Sequence, residues 1–338
     1  MMLAATPSVA ENYKYDYFYF ARRQLIYLPI ALGLLIIASI LSPTGVYRAA
    51  IVLLVVFGIF LIGTLFFGIE KNGAMRWLSL GVLSFQPSEF LKPAFAIVAA
   101  WLFAESRSGN LRLGNLFSAI VYSLLVGLLL IQPDVGMALL ISAVWIGQFF
   151  IAGLPLYLAG LLLLSCVIGI VIAYFTIPHV TSRIDRFIDP SKGDTFQVDK
   201  SLEAFVNGGL FGRGPGEGTV KERLPDAHSD FVFAVAGEEF GLLVCILIIG
   251  LFAFIVLRGF SRVLQETNLF ILLASSGLLI QFGLQAIINM GSTLRLIPTK
   301  GMTLPFVSYG GSSLIATALC MGFLLALTRK RAGGPAAT

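Results

Sequence analysis

The feature that most constrains this chain is a recurrence of apolar runs of membrane-spanning length, parted by polar connections. About 18 or more apolar residues in a helix cross the hydrocarbon of a bilayer. Such runs fall near 24–42, 49–68, 88–104, 115–132, 134–153, 155–178, 231–258, 269–290 and 312–328, nine candidate spans in all. Hydrophobic residues make up 57% and charged residues 12% of the 338, against about 25% charged in soluble domains. In lipid the backbone must satisfy its own hydrogen bonds. The expected fold is therefore all-α and polytopic, one continuous membrane domain over 1–338 with no separately folded soluble part.

The formal charge of +5 does not imply nucleic acid, because the basic residues sit mostly in loops flanking apolar runs, where topology and lipid headgroups account for them. Cys166, Cys245 and Cys320 each lie within an apolar run, without zinc or disulfide spacing. They read as packing residues. One long polar loop, 179–229, carries Arg183, Asp185, Arg186, Asp189, Lys192, Asp194, Asp199 and Lys200, and loops of that length are usually functional or disordered. Its run NGGLFGRGPGEG (Asn207 to Gly218) lacks the Gly-Lys-Ser/Thr ending of a phosphate loop. It reads as a flexible turn region, with backbone amides that could meet an anion.

Alternation across the spans puts 43–48, 105–114, 259–268 and the C-terminal tail on one face, with Arg48, Arg107, Arg112, Arg262 and the run Arg329 to Arg331. The opposite face takes the N-terminal segment, 69–87, 179–229 and 291–311. The positive-inside rule assigns the first group to the cytoplasm, although Arg22 and Arg23 oppose it.

Ionisable residues in or at the edge of spans are functional candidates by default. Glu89 and Lys92 stand three apart on a helix start, so they share a face and can pair; an orienting salt bridge and a substrate contact are both open. Asp134 follows Gln132 and Pro133 and suits a helix N-terminus, as a cap or as a cavity acid. Asp230 lies where the polar loop meets the apolar FVFAV, two residues after His228, at the depth where an amphiphilic lipid would present its headgroup. Glu238 and Glu239, about two turns deeper, read as structural. Gln285 and Asn289 read as interhelical hydrogen-bonding residues. PTKGMTLPFVSYGGSS (Pro298 to Ser313), with two prolines, cannot be one helix. Such backbone beside a bilayer reads as a pocket wall, bringing Lys300 and Ser308 to it.

Four blocks, GAMRWLSLGVLSFQPSEFLK, IQPDVG, GGLFGRGPGEGTVKERLPDAHSDFVFAVAGEEFG and PTKGMTLPFVSYGGSS, occur in this order. Together they resemble the signature blocks of the SEDS family (shape, elongation, division and sporulation), from Ala21 to Lys330, with wording nearer its division branch than its elongation branch. The resemblance implies a ten-span helical fold in the bacterial cytoplasmic membrane, at the septum, with the long loop and the active site outside the cytoplasm. The implied reaction polymerises lipid II into glycan strands, beside a class B penicillin-binding protein and other division proteins. Carried over by position, the proposed catalytic aspartate falls on Asp230, the cavity acid and lysine on Glu89 and Lys92, and a second cavity acid on Asp134. Asp226 stands where the family more often has Glu.

On that reading Asp230 is the general base of an inverting transfer, and undecaprenyl pyrophosphate leaves, its charge met by Arg76, Lys92, Lys300 or a divalent cation, Mg or Mn. Two rival readings are a lipid II flippase or transporter, since charged and broken spans suit transport too, and a noncatalytic divisome scaffold. At the N-terminus the family implies one span more than the nine found here. The segment TPSVAENYKYDYFYFARRQ aligns with the family's first outside loop, which explains Arg22 and Arg23. The expectation is that the natural chain carries about 20 further apolar residues upstream, which sequencing the mature N-terminus would test.

Overall fold

The computed structural model describes residues 5–6, 15–16, 18–71, 74–80, 83–153, 156–189, 191 and 195–329. Lys192 and Asp194 of the polar loop, Met1 to Ala4 of the N-terminal stub, and Lys330 and Arg331 of the basic tail lie outside the described residues, as does the Cys166 side chain. Each predicted span coincides with a helix: α1 (Tyr19–Ser39), α2 (Pro43–Phe67), α3 (Pro87–Ser108), α4 (Gly114–Ile131), α5 (Val135–Ile151) and α6 (Leu156–Thr176) in the first half. After α7 (Pro178–Ile188) and α8 (Phe196–Gly208) in the polar loop come α9 (Val232–Val263), α10 (Leu269–Thr293) and α11 (Gly311–Thr328). Local chemistry sets several starts. Ser42 accepts from the Gly45 amide at 2.9 Å with Pro43 at the first helical position, and Asn268 accepts from the Ile271 amide at 3.2 Å.

Among the described residues six helices are long and apolar enough to cross a membrane, or seven with α6 and α7 taken as one span bent by 100°. The central helix α3 fails that test because it carries Glu89, Lys92, Glu105 and Arg107, and α5 has only 17 residues. Both are nevertheless interior. α3 packs against α2, α10, α4, α11 and α5, α10 packs on α3, α9 and α5, and α11 lies along α1. Polar side chains tie these helices where hydrocarbon would penalise any unpaired group. Gln148 donates to the carbonyls of Ala96 (2.7 Å) and Leu273 (3.0 Å), and Trp145 Nε1 donates to Ser118 Oγ at 2.9 Å. Outside, Val52, Ile59 and Phe66 on α2 and Leu247, Phe254 and Leu257 on α9 are exposed, a surface that suits lipid.

Two features depart from the sequence reading. The 69–87 connection folds as a three-stranded antiparallel sheet, β1 (Ile69–Lys71), β2 (Ala74–Leu80) and β3 (Leu83–Phe85), in the order β1-β2-β3 with Leu78 opposite Phe85. Two of its strands, β1 and β3, have three residues each, too few for a two-residue period to stand out beside membrane-length runs. The polar loop, in turn, holds α7, α8 and a 3-10 turn at Val220–Arg223.

The glycine-rich run is docked backbone rather than a flexible turn. α9 breaks at Gly241 (φ 78°), and the run pairs with both sides of the break: Arg213 and Gly214 donate to the carbonyls of Glu238 and Glu239 (2.9 and 3.0 Å), while Leu242 donates to Gly209 at 2.9 Å. The backbone just after the run meets an internal anion. The Glu238 carboxylate accepts from the Thr219, Val220 and Lys221 amides at 2.8, 2.8 and 3.0 Å, and Glu239 forms an ion pair with Lys221, all three side chains buried. The structural role expected of both glutamates is thereby explained. A Cβ at Gly241 would lie 2.4 Å from the Gly212 nitrogen and the Leu210 carbonyl oxygen, whereas Gly250 on the same helix faces open space. Gly241→Ala is expected to destabilise the protein by about 3 kcal/mol or more, through left-handed strain plus backbone collision. Gly250→Ala should be neutral in the same thermal melts in detergent, and equal melting of the two variants would refute this account.

Candidate active site

The face holding the sheet, the polar loop and the 294–310 segment gathers most of the ionisable residues singled out in the sequence. α3 brings Glu89 and Lys92 in its first turns, and Lys92 Nζ lies 2.8 Å from Glu89 Oε2 and donates to Gln285 Oε1 on α10, also at 2.8 Å. Both charges are buried, so the pair is retained only because its members satisfy each other. Asp134 caps α5, accepting from the Met137 amide at 3.4 Å, and also faces Arg76, whose Nε is 3.7 Å from Asp134 Oδ2. Cap and site acid are thus one residue. β2 holds Arg76, which donates through Nη2 to the Pro133 carbonyl at 2.5 Å, while its buried Nε has no hydrogen-bond acceptor.

Asp230 sits half-buried just before α9. A tight turn carries it, in which the amides of Ser229, Asp230 and Phe231 all donate to the Asp226 carbonyl. Asp226 itself is left-handed (φ 54°), a conformation that aspartate tolerates better than most residues. From α10, Asn289 Nδ2 donates to the carbonyls of Asp230 (2.9 Å) and Met302 (2.6 Å), and Gln285 donates to that of Thr303 at 3.1 Å. These bonds seat the irregular 294–310 segment as a wall, with Gly301 directly against the Asp230 carboxylate.

Lys300 lies on that wall near the start of α5, and among the described residues its amine's hydrogen-bond partner is the Met302 thioether at 3.7 Å. Burial, then the nearby cations Lys92, Arg76 and Arg183, pull its pKa down to about 7, against the opposing pull of Asp134. Arg183 on α7 is a site residue that the sequence reading left among the loop charges. It lies within electrostatic reach of Arg76, Asp134 and Asp230. Its signal was faint, since α7 is amphipathic and flanked by polar sequence, so Arg183 resembled any solvated loop charge.

His228 and Ser308 lie behind Asp230 rather than beside the charges. The His228 ring is buried between Phe20 (4.7 Å between centroids) and Tyr309 (5.2 Å), and Ser308 Oγ accepts from the Leu304 amide and donates to the Ser229 carbonyl at 2.5 Å. They fix the turn that presents Asp230. Among the described residues no three His, Cys, Asp or Glu side chains converge, and Asp134 already faces Arg76, so the site offers a divalent cation one or two carboxylates and no all-protein cage.

Two measurements probe this geometry. Alanine replacement of Glu89 or Lys92 leaves a buried partner unpaired, so Glu89→Ala/Lys92→Ala is expected to lose less stability than the sum of the singles, by about 1–3 kcal/mol; simple additivity in melting curves would refute the coupling. Because the Lys300 amine loses its proton near neutrality, its acylation by an amine-reactive reagent should rise with a midpoint near pH 7, rather than near the usual ~10.4 of lysine. Mass spectrometry of the labelled peptide reads that midpoint directly.

Comparison with known proteins fits this arrangement. The family model described as "Cell cycle protein", covering FtsW, RodA and SpoVE, matches residues 1–333. A Caulobacter vibrioides protein named "Probable peptidoglycan glycosyltransferase FtsW" is 42% identical over 98% of this chain and 86% of its own length. A similarly named protein from Saccharophagus degradans is 39% identical over 91% of this chain and 82% of its own. Among solved structures, one described as "Structural coordination of polymerization and crosslinking by a peptidoglycan synthase complex" superposes with a TM-score of 0.77 at 28% identity, covering 97% of this chain and 94% of that one. Thermus thermophilus rod shape determining protein RodA gives 0.68 at 28% identity over 96% and 93%. With its helices, its four sequence blocks and nearly its whole length accounted for, the chain belongs to the SEDS family of FtsW, RodA and SpoVE, and is of the FtsW type.

Proposed function

We propose that this protein is a peptidoglycan glycosyltransferase that polymerises lipid II into glycan strands during cell division. The observation that carries the reading is the set of cations around Asp230 and Asp134: Arg76, Lys92, Arg183 and Lys300, two of which, Arg76 and Lys300, hold donors without a good acceptor. Unmet buried donors beside a carboxylate suit a substrate that is anionic at one end and carries a hydroxyl at the other.

In the proposed reaction Asp230 takes the proton from the 4-hydroxyl of the acceptor sugar. The hydroxyl oxygen forms its bond to the anomeric carbon of the growing strand as the bond to pyrophosphate breaks, inverting that carbon. The electron pair leaves with undecaprenyl pyrophosphate, whose charge Arg76, Lys92, Arg183 and Lys300 offset. The Glu89–Lys92 pair orients Lys92 toward it.

The site would face the extracytoplasmic side, where arginines on the opposite connections, Arg48, Arg107, Arg112 and Arg262, favour the cytoplasm. A class B penicillin-binding protein and other division proteins at the septum are the proposed partners, in keeping with the family and with the synthase complex among the similar structures. Asp230→Asn keeps shape and loses basicity, so lipid II polymerisation by the purified protein with its partner should fall by two to four orders of magnitude, ~10²–10⁴-fold, with expression and partner binding kept. An Asn variant that polymerises normally on glycan gels would eliminate the base; a wild type that moves lipid II across vesicles without polymerising it would favour a flippase, and one that does neither, a scaffold.

A further inference from the structure

The glycine-rich run is bonded to α9 below the level at which a polar loop would ordinarily stay. Toward its far end the first charge on α9 is Arg258, preceded by the exposed Leu251, Phe254 and Leu257. From Arg258 back to Leu242 is sixteen residues of helix, ~24 Å at 1.5 Å each, whereas the hydrocarbon of a bilayer is ~30 Å thick. Leu242 therefore lies ~6 Å within the hydrocarbon of the leaflet on the Asp230 side, and the usual tilt of a spanning helix deepens it. Its amide donates to Gly209 and that of Leu243 to Leu210, at 2.9 and 3.3 Å, so the run reaches the same depth.

α8 leads down to that point from the end of α10. Ser201 Oγ donates to the carbonyl of Thr293, the last residue of α10, at 2.8 Å. Further along, Gly208 packs on the Gly237 carbonyl so closely that a Cβ would lie 1.9 Å from its oxygen. Gly209 and Gly212 then turn the chain back with positive φ (56° and 79°), and Arg213 and Gly214 bond the carbonyls of Glu238 and Glu239 on the return. α8 and the run form a re-entrant hairpin whose backbone is paired by α9, as hydrocarbon requires.

Side-chain chemistry follows the same gradient. Lys200 pairs with Glu203 on the way in, and Arg213 and Glu217 are exposed on the way out. Between them Val206, Leu210 and Phe211 are 81, 59 and 79% exposed, continuous with the exposed Leu242, Leu243, Ile246 and Leu247 of α9. We propose that this hairpin tip is a lipid-contact surface, with Val206, Leu210 and Phe211 among the acyl chains of the leaflet on the Asp230 side. The polar loop is then seated by the bilayer as well as by the helices.

The test places a nitroxide on Phe211→Cys in the full protein, reconstituted without any partner in vesicles of phosphatidylethanolamine and phosphatidylglycerol. Its collisions with dissolved oxygen, which concentrates in hydrocarbon, are compared by electron paramagnetic resonance with its collisions with a water-soluble nickel chelate. Leu247→Cys on α9 and Glu70→Cys on β1 serve as the lipid and water references, and the unsubstituted protein supplies the background of the native cysteines. Phe211→Cys is expected to share the high oxygen and low nickel access of Leu247→Cys, at a shallower depth. Val206→Cys carries the same expectation and stands in should Phe211→Cys fail to fold. Nickel access equal to that of Glu70→Cys would overturn the proposal. Low access to both reagents, the signature of a second copy of the protein covering the tip, would overturn it equally.

Discussion

The structure depends on a single constraint, that backbone polar groups freed within a membrane must be paired by something other than water. α9 violates helical continuity at Gly241, and the glycine-rich run is the element that repairs it, strand-like along both sides of the break. Glu238 then gathers three amides just after that run, and Glu239 holds Lys221. The polar loop is thereby fastened to the membrane helices at their most irregular point. Asp230 lies between these fastenings and the Asn289 bonds from α10, so its position is determined from both sides.

Electrostatically the site is unbalanced on purpose of its geometry. Glu89 and Lys92 satisfy one another and Gln285, while Arg76 shares Asp134 at a distance and Lys300 has almost nothing. Charges of like sign brought together in a poorly solvated place raise the free energy of the empty protein. In the proposed reaction that cost is recovered when the pyrophosphate end of the substrate arrives.

Much of this was legible in the sequence, because membrane length and intramembrane charge are strong signals that need no tertiary context. Helices at the nine expected positions, the pairing of Glu89 with Lys92, the structural use of Glu238 and Glu239 and the interhelical bond of Gln285 with Lys92 followed from the sequence, whereas Asn289 bonds the irregular backbone at Asp230 and Met302 instead of another helix. The sheet did not, since three-residue strands carry too little periodicity. Nor did Arg183, whose charge comes within reach of Arg76, Asp134 and Asp230 from a helix inside the polar loop. His228, two residues before Asp230 along the turn, packs its ring against Phe20 and Tyr309.

The depressed basicity of Lys300 has a consequence for the proton balance of the site. An amine half-protonated near neutrality takes up part of a proton from solvent when an anion settles against it, and returns that fraction when the anion departs. Ligand occupancy and pH are therefore linked variables here, in both directions. Under the proposed function, a rise in pH loosens the site's hold on a pyrophosphate, and a buffer of larger ionisation enthalpy makes the heat of its binding visibly different in a calorimeter.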